Sequence, residues 1–284
     1  MALIHYFILV IFFILTVLTG GYAYAGHPQT PTENHEQIVK ESFVYALLSV
    51  NAYETQENTP FVLPACIKEV RHEDSRLSDP SPKYVHSNVY DKGSFQAKIF
   101  EITCDENDPD TRWEVVIAYR GTQNFLGGDM VKGTLTDHQR KIAVRLYEEI
   151  KEKYSNKKAV ISLTGHSLGG ALALEVAYTY NQDPIKAYVF NSSYHISREL
   201  KDRAPSTNGK VISIEEEKDP VMAPLRHLWQ TPTGLRVYQV DYAKTLIAGN
   251  HSRHHIACGL LKEAKERKCK MAEQIFELNT TICQ

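Results

Sequence analysis

The chain has 284 residues, of which 43% are hydrophobic and 23% charged, with a formal net charge of −2. That composition suits one large globular domain and excludes intrinsic disorder, which needs low hydrophobicity together with high net charge. There is no basic surplus to serve as an electrostatic footprint for nucleic acid.

In chain order, residues 6–19 are apolar apart from two threonines and are followed by Ala23-Tyr24-Ala25, a small-x-small cleavage signal. The apolar core is shorter than the ~20 residues of a membrane span. The expectation is a signal peptide over residues 1–25 and a mature domain over 26–284 outside the cytosol. Because Lys and Arg are missing from the first residues, an uncleaved anchor through residues 2–19 is the alternative. Residues 36–53 carry Ile38, Phe43, Ala46, Leu47 and Val50 at helical spacing and read as an amphipathic helix. Residues 58–84, rich in Pro, Ser, Asp and charge, read as mostly loop. Residues 94–103 alternate as a strand does, and 113–119 (WEVVIAY) read as a strand buried on both faces. Residues 137–154 are a charged amphipathic helix with Thr136 or Asp137 as N-cap. Strands follow at 159–164, 186–190, 210–214 and 235–240, with helices at 168–180 and 252–268. Strands alternating with helices imply an α/β fold, doubly wound about a mostly parallel central sheet flanked by helices.

Five cysteines cannot pair completely within one chain. In an exported protein Cys66 with Cys104, or Cys269 with Cys283, are candidate bridges, and Cys258, in an apolar helical run, reads as a small buried hydrophobe. No Cys/His spacing resembles a metal site. Asn279-Thr280-Thr281 is an N-glycosylation sequon.

The chemistry is carried by Gly165-His166-Ser167-Leu168-Gly169, placed between an apolar strand and a helix. This is the G-x-S-x-G nucleophile elbow of α/β-hydrolases. A strand that turns into a helix within one residue holds Ser167 in a strained backbone conformation and projects its hydroxyl from the sheet edge. Gly165 and Gly169 leave no side chain where strand and helix pass closely. His166 is a poor base, since neighbours on a tight turn point in different directions. An oxyanion hole needs a second donor from an early strand end. Tyr119-Arg120-Gly121-Thr122 ends such a strand, so Thr122 and Leu168 are the candidate donors. A triad of this fold runs Ser, acid, His along the chain. Asp219, ahead of Pro220 in the turn after strand 210–214, is the candidate acid, with Glu217 the alternative. The candidate bases before the last helix are His251, His254 and His255, while His227 follows Asp219 too closely.

GHSLGGALA at residues 165–173, together with Tyr119-Arg120-Gly121-Thr122, resembles the class 3 lipases, the fungal-lipase-like α/β-hydrolases. The helix ending in Asn51-Ala52-Tyr53 is also similar, and the likeness spans most of the chain from about residue 36. It implies that Thr122 lines the oxyanion hole, that Asp219-Pro220-Val221 is the acid segment, and that His251, followed by Ser252, is the base, with His254 the alternative. It also implies a lid over residues 123–136. There Phe125, Leu126, Met130, Val131 and Leu135 are apolar and Gly127-Gly128 offers a hinge. The segment departs from the family where Phe125 stands near a common tryptophan and Lys132 replaces a histidine. The expected activity is cofactor-free hydrolysis of lipid esters by a serine esterase of triacylglycerol lipase or phospholipase A1 type, with transient contact to a lipid interface. The alternatives are a non-lipid esterase or thioesterase, and a catalytically silent binding or signalling protein.

Overall fold

The computed structural model describes residues 35–283 apart from 54–58, 71–84, 87–88, 93–94, 105–112, 122–135, 158, 207–208, 218, 220, 223–228 and 243–251. The expected leader, Thr122, residues 123–135 of the expected lid, His227 and His251 lie outside the described residues.

The strands among the described residues are β1 (Ile67–Glu69), β2 (Val85–His86), β3 (Val89–Lys92), β4 (Phe95–Ile102), β5 (Glu114–Tyr119), β6 (Val160–His166), β7 (Lys186–Phe190), β8 (Lys210–Glu216) and β9 (Arg236–Val240). They form one nine-stranded sheet in sequential order from β2 to β9, with β1 also paired to β4. The strands from β5 to β9 are mutually parallel, and those before β5 pair antiparallel. The change of direction has a local cause. Residues 103–113 joining β4 to β5 are too few for a helical crossover, so β5 returns alongside β4.

Among the described residues the α-helices are α1 (His35–Asn51), α2 (Asp137–Lys153), α3 (Leu168–Thr179), α4 (Arg253–Glu266) and α5 (Lys270–Leu278). Two-residue alternation divides the parallel strands between two cores. Val116, Ala118, Tyr188, Phe190, Ile212 and Ile214 pack with α1, α4 and α5. Val115, Ile117, Tyr119, Leu163, Ala187 and Val189 pack with α2 and α3. Sequential parallel strands clad on both faces make the α/β-hydrolase architecture.

Several expectations are refined. α1 is amphipathic in its first half, where Gln37 is exposed and Ile38, Val39 and Phe43 are buried, and covered all round in its second half, where Ser49 is buried with Val44, Tyr45 and Leu48, because that half lies between the sheet and α4. Trp113 precedes β5 and is exposed. α2 starts as expected, with Thr136 and Gln139 forming a reciprocal capping box. Residues 58–70 contain β1, a strand too short to leave a period.

The cysteines correct the sequence reading. Cys66 pairs with Cys104, but the second bridge is Cys258–Cys283, and Cys269 is free. The unforeseen α5 is the reason. It folds back on α4 and brings the chain end to the second turn of that helix, while Cys269 is the N-cap residue of α5. Among the described residues no helix is long and apolar enough to cross a membrane.

The Asn279 sequon is a structural element here. Its side chain is fully buried, accepting the Val62 N–H at 2.7 Å and donating to the Val62 and Ile275 carbonyls at 2.8 and 2.7 Å. Leaving such partners unpaired costs about 1–3 kcal/mol. Asn279→Ala is therefore expected to lower unfolding free energy by about 2–3 kcal/mol in urea titration. Replacing Cys258 and Cys283 together by serine opens a loop of 25 residues and should cost about 3 kcal/mol by the same measurement.

Candidate active site

The parallel strands end on one edge of the sheet. Tyr119 stands beside Gly165 and His166 beside Phe190, so the turns after β5, β6, β7 and β8 meet there. α4 begins at Arg253, with Ser252 as its N-cap.

Ser167 occupies the single position between β6 and α3, with φ 59° and ψ −124°. A positive φ in a non-glycine residue costs about 1–3 kcal/mol and persists only where the surroundings impose it. Here they do. The Ser167 N–H donates to the Phe190 carbonyl at 3.0 Å, and the Ser167 carbonyl accepts from the Ser193 and Ala171 amides at 3.2 and 3.3 Å. The backbone is thus held by β7, by the turn after it and by α3. The side chain makes no capping bond to α3, so the hydroxyl has no structural duty at that helix start.

The glycines are required by contact. A Cβ on Gly165 would overlap the Gly169 backbone, and one on Gly169 would overlap the Tyr119 carbonyl and lie 2.8 Å from the Gly121 nitrogen. On Gly121 it would lie 2.6 Å from the His166 carbonyl and 2.6 Å from the Tyr53 hydroxyl. The turn after β5, the end of β6 and the first turn of α3 therefore touch backbone to backbone. Leu168 is the first residue of α3, where helix amides lack intrahelical acceptors and the dipole favours negative charge. Gly121, next to Thr122, is locked against that same turn. His166 is buried in the elbow.

The two candidate acids occupy different environments. Asp219 is fully buried, and one of its carboxylate oxygens accepts the Val221 and Met222 amides at 2.9 and 3.1 Å. Its own N–H donates to the Glu216 carbonyl at 3.2 Å. An aspartate closing its own turn in this way has a fixed carboxylate. The Glu217 side chain is exposed, with only its backbone tied, to Val240.

His254, in the first turn of α4, donates from Nε2 to the Thr59 carbonyl at 3.0 Å and lies by the Phe61 ring. That bond turns it towards the segment after α1. Burial pushes its pKa down, helped by Arg253 and His255 and opposed by the Thr59 bond. His255 is exposed. Among the described residues no group of three or more His, Cys, Asp or Glu is gathered to hold a metal ion.

Four features escaped the sequence reading. The run Asn191-Ser192-Ser193 is wholly buried, and Asn191 carries φ 42°. The Asn191 side chain accepts the Glu216 N–H at 2.7 Å, tying the turn after β7 to the end of β8. Glu215 is buried and accepts from Ser213 at 2.9 Å and from Tyr194. Arg253 lies over the Tyr53 ring. A small polar run directly after an apolar strand was the available signal for the first two; the others are tertiary contacts with none.

His195 joins His254 in having a pKa lowered chiefly by burial, with Arg140 and Lys201 adding to it. A histidine kept neutral in the fold contributes stability that is present above the ordinary pKa of about 6.5 and is lost as pH falls below it. The lowered carboxylates, Glu41 held by Lys210, Tyr188 and Gln37 against its burial, and Glu263 held by Tyr242, Arg267 and His35 against its burial, act in a more acidic window. Urea midpoints should therefore fall between about pH 6.5 and 5, and His254→Gln with His195→Gln should flatten that slope.

No curated protein matches the chain. Among solved structures it is similar to the Lip2 lipase of Yarrowia lipolytica, with 15% identity, a TM-score of 0.45, and coverage of 76% of this chain and 89% of that one. It is likewise similar to a Rhizomucor miehei lipase propeptide complex, with 14% identity, a TM-score of 0.44, and coverage of 69% and 66%. The phospholipase-like model of a Tle-like phospholipase domain matches residues 44–213. This span reaches from α1 through the turn after β5 and the elbow to β8, and the chain belongs to that phospholipase-like family, a class 3 lipase-like group of α/β-hydrolases.

Proposed function

We propose that this protein is a serine carboxylic-ester hydrolase acting on lipid esters, of triacylglycerol lipase or phospholipase A1 type, through an acyl-enzyme. One observation carries the reading: Ser167 is held at positive φ on the C-terminal sheet edge, wedged between Gly165 and Gly169, with no capping bond to α3. Such strain is retained where it serves the chemistry. The phospholipase-like family favours a phospholipid among the lipid esters.

In this mechanism His251 takes the proton of Ser167 as the hydroxyl attacks the ester carbonyl. Asp219 orients the imidazole and stabilises the imidazolium. The buried, two-fold hydrogen-bonded Asp219 carboxylate supports that role over the exposed Glu217. The Thr122 and Leu168 amides receive the charge on the former carbonyl oxygen, each worth about 3–4 kcal/mol of transition-state stabilisation. The imidazolium then protonates the leaving alcohol, and water, activated by His251, cleaves the acyl-enzyme. No step calls for a metal or organic cofactor. Two disulfides support an oxidising, extracytosolic setting, where contact with a lipid interface is transient.

The test is a fluorophosphonate probe on the purified chain, followed by p-nitrophenyl esters of rising acyl length. Labelling is expected in wild type and lost in Ser167→Ala, with long chains hydrolysed fastest. Asp219→Asn should lower kcat roughly ten-thousandfold with the fold intact, and Glu217→Gln should leave it near wild type. Hydrolysis of short chains alone would point to a soluble esterase. A folded wild type that takes no label would be a binding protein on this scaffold, and the proposal would fail.

A further inference from the structure

Tyr53 lies just past α1 and is 3% exposed. Its hydroxyl accepts the Gly121 N–H at 3.0 Å, a contact spanning 68 positions of sequence. Gly121 leaves no slack: a Cβ there would stand 2.6 Å from the Tyr53 oxygen, 2.6 Å from the His166 carbonyl and 3.2 Å from the Gly169 amide. The phenol and the elbow thus both close on the face of Gly121 that a side chain would occupy.

The guanidinium of Arg253 lies over the Tyr53 ring, 4.1 Å from its centroid. Arg253 is the first residue of α4, where a cation opposes the helix dipole. Helix stability therefore does not account for it, whereas a cation over a buried aromatic face is favourable. One tyrosine links the end of α1, the turn beside the elbow and the start of α4.

We infer that Tyr53 is a positioning residue for the ester-cleaving reaction: its hydroxyl holds Gly121, the residue before the candidate donor, close to the elbow, and its ring ties Gly121 to the start of α4. The inference rests on the serine-hydrolase reading above. Its physical basis is the sharp dependence of oxyanion stabilisation on placement, where an error near an ångström costs on the order of a hundredfold. Without the hydroxyl the buried Gly121 N–H loses the acceptor that holds it, and a buried amide does not stay unpaired. The turn then shifts towards another acceptor.

The experiment compares Tyr53→Phe with wild type in the full chain. The expected result is a kcat on p-nitrophenyl esters lowered roughly tenfold to a hundredfold with KM unchanged. Affinity for a boronic acid that forms a tetrahedral adduct on the serine should fall by a similar factor. A merely structural tyrosine would lower Tm and the active fraction without moving the boronate affinity of the folded molecules. Wild-type kcat and wild-type boronate affinity in Tyr53→Phe overturn the inference. If that variant does not fold, Arg253→Met carries the test: kcat lowered severalfold at unchanged KM supports the tie, and unchanged kcat overturns it. A wild type without Ser167-dependent labelling overturns the hydrolase reading and this inference together, whereas a labelled wild type with a fully active Tyr53→Phe overturns this inference alone.

Discussion

Everything at the C-terminal edge of the parallel strands depends on three pieces of backbone lying closer than side chains permit. Gly169 rests against Tyr119 and Gly121, and Gly165 rests against Gly169. The positive φ of Ser167 follows from that contact, because a strand that ends this close to the next helix has no room for a gradual turn. So does the proximity of the two backbone segments that would face an oxyanion. The strain at Ser167 is balanced by amide bonds to β7 and its following turn, so the elbow is stable only within the complete sheet.

The opposite edge of the sheet has a different character. Near the starts of the parallel strands, half-buried carboxylates each collect more than one donor. Glu114 receives Tyr45 at 2.5 Å and also Ser162, and Glu41 receives Tyr188 and Lys210, each at 2.5 Å. The ties from Tyr45 and Glu41 cross from α1 to the sheet and hold the helix against it. At the Ser167 edge polar side chains also tie the backbone, Asn191 to Glu216 and Tyr53 to Gly121, while the hydroxyl of Ser167 takes no part in capping its helix.

The start of α4 connects these themes. Its N-cap, Ser252, makes no side-chain capping bond, and its first residue places a positive charge where the helix dipole disfavours one. Both are departures from local helix preference. The Arg253–Tyr53 contact and the His254–Thr59 bond supply tertiary replacements, fastening the helix start to the segment after α1. Local helix preference yields here to tertiary contacts.

The sequence by itself determined the strand–serine–helix turn, the succession of strands and helices along the chain, the start of α2 at Thr136 or Asp137, and Ser167 and Asp219 as candidates. Each is written in local periodicity, in glycine spacing or in a turn residue, signals confined to a few adjacent positions. It left Asp219 and Glu217 both open as candidate acids, and their surroundings differ in the fold: Asp219 is buried and accepts two amides, whereas Glu217 is exposed. Only the tertiary structure decided that Cys258 meets Cys283, that Asn279 is an internal strut, and that Tyr53 reaches Gly121. These contacts join positions 25, 217 and 68 apart. No local pattern encodes them, because which distant segments meet is set by how helices stack on the two faces of the sheet.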